Sequence, residues 1–136
     1  MWAVIDTSVY IGHWERGLYA DTLAEVQRAF VIRHSAVVLS ELRRGARTRD
    51  AARTVARLQH LAPDIWEPSA KDWWEAGRII LTVGDAHDWD RSKRRDFQND
   101  ALIALTARAH GAMVVTANRE DFEILGRKLG VRVLVA

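Results

Sequence analysis

Short unbroken apolar runs alternate along this chain with longer stretches in which apolar residues recur every three or four positions. Trp2-Ala3-Val4-Ile5 is the first such run, and it stops on Asp6. A run of this kind suits a strand covered on both faces, as in a parallel sheet. Val37-Val38-Leu39 predicts a second buried strand, residues 113–116 a third, and residues 131–135 a closing one. Ile65-Trp66, set between Pro63 and Pro68, is a short extended piece, either a minor strand or a connection.

Helical spacing fills the intervals. Thr7 or Ser8 caps a helix over residues 9–15 that turns Trp14 toward the core and breaks at Gly17. Asp21 or Thr22 opens a second helix to Phe30, with Leu23, Val26, Ala29 and Phe30 on one face. Ser40 is a natural cap for a third, which carries Glu41, Arg43, Arg44 and Arg47 and is interrupted at Gly45. Residues 50–61 place Ala52, Val55, Leu58 and Leu61 inward and an Arg49, Arg53, Arg57 stripe on another face. Ser69 caps a long helix reaching Gly84, whose apolar positions are Ala70, Trp73, Trp74, Gly77, Ile80, Leu81 and Val83. Residues 85–95 are so polar that they read as a solvated helical turn or a loop at the rim of a site. A small-residue helix then begins around Asp100 and ends at Gly111, and a last helix over residues 120–129 ends at Gly130.

Alternating strands and helices give an α/β class: a parallel sheet between helix layers, in one domain over residues 1–136. Composition narrows the chemistry. With 49% hydrophobic and 28% charged residues the chain is globular in type, and it has no cysteine, which removes thiol nucleophiles, disulfides and zinc-thiolate sites. There is no long uncharged apolar run and no signal-peptide pattern, so a cytoplasmic, membrane-free protein is expected. Net charge is only +2, yet among the 20 basic residues only Lys71, Lys93 and Lys128 are lysine. Arginine favours bidentate contacts with phosphate and carboxylate, so a nucleic acid or an acidic partner fits; a GC-rich coding sequence explains the same bias.

The acids carry the candidate chemistry. Asp6 and Glu41 each follow a predicted strand, Thr116, Asn118 and Asp121 cluster after another, and Asp100 lies at a predicted helix start. Ligands of open α/β sheets bind beyond the carboxyl ends of the strands. Carboxylates gathered there repel one another and are costly to desolvate unless a hard dication neutralises them. Oxygen ligands without cysteine or paired histidines favour Mg²⁺ or Mn²⁺ over zinc, and such an ion beside arginines fits phosphodiester hydrolysis.

Four blocks resemble one family in order: Val4-Ile5-Asp6-Thr7-Ser8, Leu39-Ser40-Glu41-Leu42-Arg43-Arg44-Gly45, Asn99-Asp100-Ala101-Leu102-Ile103-Ala104 and Val115-Thr116-Ala117-Asn118-Arg119-Glu120-Asp121-Phe122. Together they resemble the signature of PIN-domain ribonucleases, and most of all toxins of the VapC type. The resemblance implies a three-layer α/β/α domain around a central parallel sheet, a homodimer, and Mg²⁺- or Mn²⁺-dependent endoribonuclease activity on RNA, transfer RNA included. It also implies a cognate antitoxin that inserts a segment into the site. Carried over by position, Asp6, Glu41 and Asp100 are metal-binding acids, Asp121 is the fourth acid or its helper, and Ser8 and Thr116 are hydroxyls near the metal. Asn118 departs from the pattern, since many members carry an acid there.

The remaining features divide between function and packing. Arg91, Arg94 and Arg95 precede Asp100 and are candidate RNA-backbone contacts. The Arg49, Arg53, Arg57 stripe is an RNA contact, an antitoxin contact or a solvated helix face. Trp2 and Trp14 are expected in the core, while adjacent Trp73 and Trp74 cannot both face inward, which leaves one for an interface. His110 suits a helix C-terminus, and Asp96 is a cap or an extra ligand. Two other functions share this pattern: a PIN-like nuclease in RNA or DNA processing, and a catalytically inactive PIN module that binds RNA or a partner.

Overall fold

The computed structural model describes residues 1–136. Five strands form one sheet in the order β3-β2-β1-β4-β5, every neighbouring pair parallel. They are β1 (Trp2–Ile5), β2 (Val31–Ser35), β3 (Ile65–Trp66), β4 (Met113–Thr116) and β5 (Val133–Val135). Seven helices connect them: α1 (Thr7–Arg16), α2 (Ala20–Ala29), α3 (Ala36–Gly45), α4 (Arg49–Leu61), α5 (Ala70–Ala86), α6 (Arg91–Ala109) and α7 (Arg119–Leu129). The all-parallel sheet, with every long connection helical, is the architecture expected from the alternation of runs. β1 pairs with β2 on one side and β4 on the other, so the strand order reverses beside β1. Such a reversal opens a crevice at the carboxyl ends of the central strands.

Val37-Val38-Leu39 is helix, not strand. The second strand is Val31–Ser35, which comes before it. Ser35, not Ser40, makes the cap: its Oγ accepts hydrogen bonds from the amides of Val37 at 3.1 Å and Val38 at 3.4 Å. With the chain turned at Ser35, the apolar triplet continues at helical spacing, and Val38, Leu39 and Leu42 are buried. Glu41 therefore sits one and a half turns into α3 rather than at a strand end. Ser35 is fully buried. Ser35→Ala is expected to destabilise the fold by about 1 kcal/mol, the usual cost of a lost cap, as read from the urea midpoint.

The second difference concerns α6. Asp90 caps it, accepting from the Lys93 amide at 2.8 Å, so the polar stretch before Asp100 is its exposed first turns. Asp100 lies mid-helix, not in a first turn. The following residues, Ala101 to Ala107, are all buried. Phe97, Leu102, Ile103 and Leu105 are among the largest fully enclosed side chains, and Phe122 and Leu125 of α7 join them. α6 packs against α5, α7 and β4, which makes it the central helix of its layer.

The tryptophans also differ from expectation. Trp2 and Trp14 are 40% and 41% exposed. Trp2 is the first residue of its strand and meets Trp66 edge-on at 5.3 Å; Trp14 leans on Tyr10 at 5.2 Å. On α5 the buried positions are Ala76, Ile79, Val83 and Gly84, a stripe that leaves Trp73, Trp74 and Leu81 outside. The buried tryptophan is Trp66, stacked on His110 at 3.9 Å.

Candidate active site

Asp6 closes β1, and its amide continues the ladder to Val115 O at 2.8 Å. It stands at the N-cap of α1 without making a capping hydrogen bond. Its carboxylate is held across the sheet instead. Oδ2 accepts from Ser8 Oγ at 2.7 Å and from Thr116 Oγ1 at 2.9 Å. Each hydroxyl is itself oriented by an amide: Ala117 N donates to Ser8 Oγ and Asn118 N to Thr116 Oγ1, both at 3.0 Å. A hydroxyl has one proton, and here both are directed at Asp6. Only 3% of Asp6 is exposed.

Glu41 approaches Asp6 from α3, through the residue next to it. Thr7 Oγ1 donates to its Oε1 at 2.8 Å. Thr7 thus positions Glu41 as Ser8 positions Asp6, a division of labour along adjacent residues. Asp121, at the start of α7, is buried, and both of its oxygens lie 2.8 Å from Lys93 Nζ. Asn118 Nδ2 spans Asp121 Oδ2 at 3.1 Å and Asp100 Oδ2 at 3.3 Å.

Burial and mutual repulsion raise the carboxyls of this group. Burial raises the Asp6 carboxyl above its ordinary value, against the hydroxyls of Ser8 and Thr116 and the nearby amides of Thr7 and Ser8. Burial raises Glu41 as well, and the charge of Asp6 adds to it, while Thr7, Asn99 and Arg44 pull the other way. Asp100 is pushed up to about 9, first by burial and then by the charges of Asp6, Asp121 and Glu41. The charges of the other three acids all oppose ionisation of Asp100.

The PIN-domain family pattern matches residues 3–128. The chain belongs to the PIN-domain family. Solved structures with this PIN fold include VapBC-1 from nontypeable Haemophilus influenzae, at TM-score 0.73 and 17% identity over 99% of this chain and 98% of that one. A VapBC2 assembly from Rickettsia felis, bound to a DNA fragment from its promoter, matches at TM-score 0.67 and 22% identity over 100% and 99%. VapBC-5 from Mycobacterium tuberculosis, a member of the VapBC family of toxin–antitoxin systems, matches at 0.62 and 23% over 99% and 98%. At these identities the likeness establishes the fold. No curated protein matches in sequence.

The PIN fold of this chain brings Asp6, Glu41, Asp100, Asp121, Ser8, Thr116 and Asn118 together. No three acid or histidine side chains already form a coordination cage. The donor set nonetheless fits a hard dication: it is all oxygen, desolvated, and short of positive charge. Arg91 and Arg95 are exposed on the first turns of α6. Arg94 is tied down, donating to Trp89 O at 2.9 Å and to Asp85 Oδ1 at 3.0 Å. Thr7 and Lys93, which bind Glu41 and Asp121 directly, are absent from the sequence-based set. The signal for Lys93 is its seven-position spacing to Asp100, two helical turns, which puts both on one face of α6.

Proposed function

We propose that this chain is the toxin of a toxin–antitoxin pair, a divalent-metal-dependent endoribonuclease acting in the cytoplasm as a single domain. The observation that carries the reading is the convergence of four acids at the carboxyl ends of β1 and β4: Ser8 and Thr116 hold Asp6, Thr7 beside it holds Glu41, and Asn118 Nδ2 bridges Asp100 and Asp121. Asp6, Glu41 and Asp100 would hold Mg²⁺ or Mn²⁺. The bound ion supplies neutralising charge and acidifies a water for attack on phosphorus. The chain's own groups do the rest. Ser8 and Thr116 fix Asp6 in one orientation, Thr7 fixes Glu41, and α6 delivers Asp100. Exposed Arg91 and Arg95 would bind the RNA backbone and set its path without reading its sequence. The likeness to VapBC toxin–antitoxin assemblies supports a cognate antitoxin as partner; the homodimer, and RNA with transfer RNA included as substrate, follow from the family resemblance of the four sequence blocks.

The test is cleavage of total cellular RNA by purified, partner-free protein. Discrete fragments are expected with Mg²⁺, and EDTA should return the signal to background. A folded, partner-free protein that cuts nothing with either Mg²⁺ or Mn²⁺ would overturn the reading. Cleavage of DNA in preference to RNA would move it to a processing nuclease.

A further inference from the structure

We propose that Lys93 is the resident cation of the Asp121 side of the site, so that the acids load one divalent ion rather than two. The inference rests on the metal-nuclease reading of the same acids. Lys93 Nζ contacts both Asp121 oxygens at 2.8 Å, and the Asp121 side chain is only 6% exposed. The lysine is held from behind as well. Its ammonium lies 5.0 Å from the centre of the Trp89 ring and 6.0 Å from that of Phe97, within cation–π range. Its amide is fixed by the Asp90 cap.

Asn118 closes the other approach. Its Oδ1 accepts the Asp121 amide at 3.4 Å, which turns its Nδ2 onto Asp121 and Asp100. In this orientation the amide shows protons, not its carbonyl oxygen, to the acids. Asp121 Oδ2 therefore meets both the ammonium and the amide, and Oδ1 meets the ammonium. A second dication at Asp121 would have to displace Lys93 or sit against it. On the Asp6 and Glu41 side the donors are neutral hydroxyls from Ser8, Thr116 and Thr7, which orient oxygens without repelling a cation.

The experiment counts Mn²⁺ ions bound to the full, metal-stripped chain, following free Mn²⁺ by electron paramagnetic resonance, with folding checked by circular dichroism. Wild type is expected to bind one ion, Lys93→Met two, and Lys93→Arg one. Adding Asp121→Asn to Lys93→Met should return the count to one. Two ions on wild type, or one on Lys93→Met, would overturn the role of Lys93 while leaving the metal reading intact. A folded wild type that binds none would fail the metal reading itself. Should Lys93→Met not fold, Lys93→Gln decides, because its amide removes the charge at similar length: two bound Mn²⁺ ions are expected, and one would overturn the proposal.

Discussion

Asp6→Asn is expected to lower Mg²⁺-dependent RNA cleavage by about 10²–10³-fold with the fold intact. Losing part of the charge stabilisation that a metal site supplies costs several kcal/mol of transition-state energy, and each ~1.4 kcal/mol is tenfold in rate. The fold should survive because asparagine has the same shape, and its carbonyl oxygen can still accept from Ser8 and Thr116 at the place where Oδ2 does now. Burial also works against the Asp6 charge, so removing that charge relieves an existing cost. Initial rates at saturating Mg²⁺, beside thermal unfolding of both proteins, give the two readouts. A variant that cleaves within threefold of wild type would show that Asp6 is not a metal ligand, whatever its position in the fold.

Much of this arrangement is legible in the chain, and the exceptions have physical causes. β1 and β4 are plain because their apolar runs end at Asp6 and Thr116, polar residues that the sheet leaves at its open end. β2 is hidden because Arg33 and His34 interrupt its apolar pattern and are only half-buried, while Val37-Val38-Leu39 imitates a strand. The decisive residue there is Ser35. Its hydroxyl ends extended backbone and starts α3, and a single polar side chain outweighs three β-prone neighbours. Glu41 still meets Thr7 beside Asp6, because α3 starts at the sheet's open end and a residue one and a half turns along it stays close to that end.

α6 teaches the complementary lesson. Its first turns carry Arg91, Lys93, Arg94 and Arg95, and a polar stretch of this kind reads as loop when only the buried half of the helix shows apolar residues. The charged turns are nevertheless continuous with the core segment, and that continuity carries Lys93 to Asp121 and Asp100 to Asp6. The ion pair between Lys93 and Asp121 joins positions 28 residues apart. No local pattern reports a contact of that range; only the sheet order, with β4 beside β1, brings α7 against α6.

Asp100→Asn should abolish cleavage and, at neutral pH, make the metal-free protein more stable. Folding buries Asp100, and Asp6, Asp121 and Glu41 oppose its charge there, which together raise its carboxyl to about 9. Unfolded, the same group titrates near 3.9. Between these values the folded state binds a proton that the unfolded state does not, so the acid costs stability that grows as pH rises from about 4 toward 9. Below about 4 both states hold the proton and the cost is gone. Asparagine removes the titration, so the variant should gain about 1–2 kcal/mol at pH 7, the usual yield of relieving a strained functional site, and almost nothing at pH 4. Urea unfolding in EDTA at the two pH values measures both. Added Mg²⁺ should then reverse the ranking, because binding to the native state stabilises wild type by mass action while the variant has lost a ligand. Equal stability at pH 7 would mean that neither burial nor the neighbouring acids oppose the Asp100 charge, and the case for a cation between them would lose its electrostatic ground.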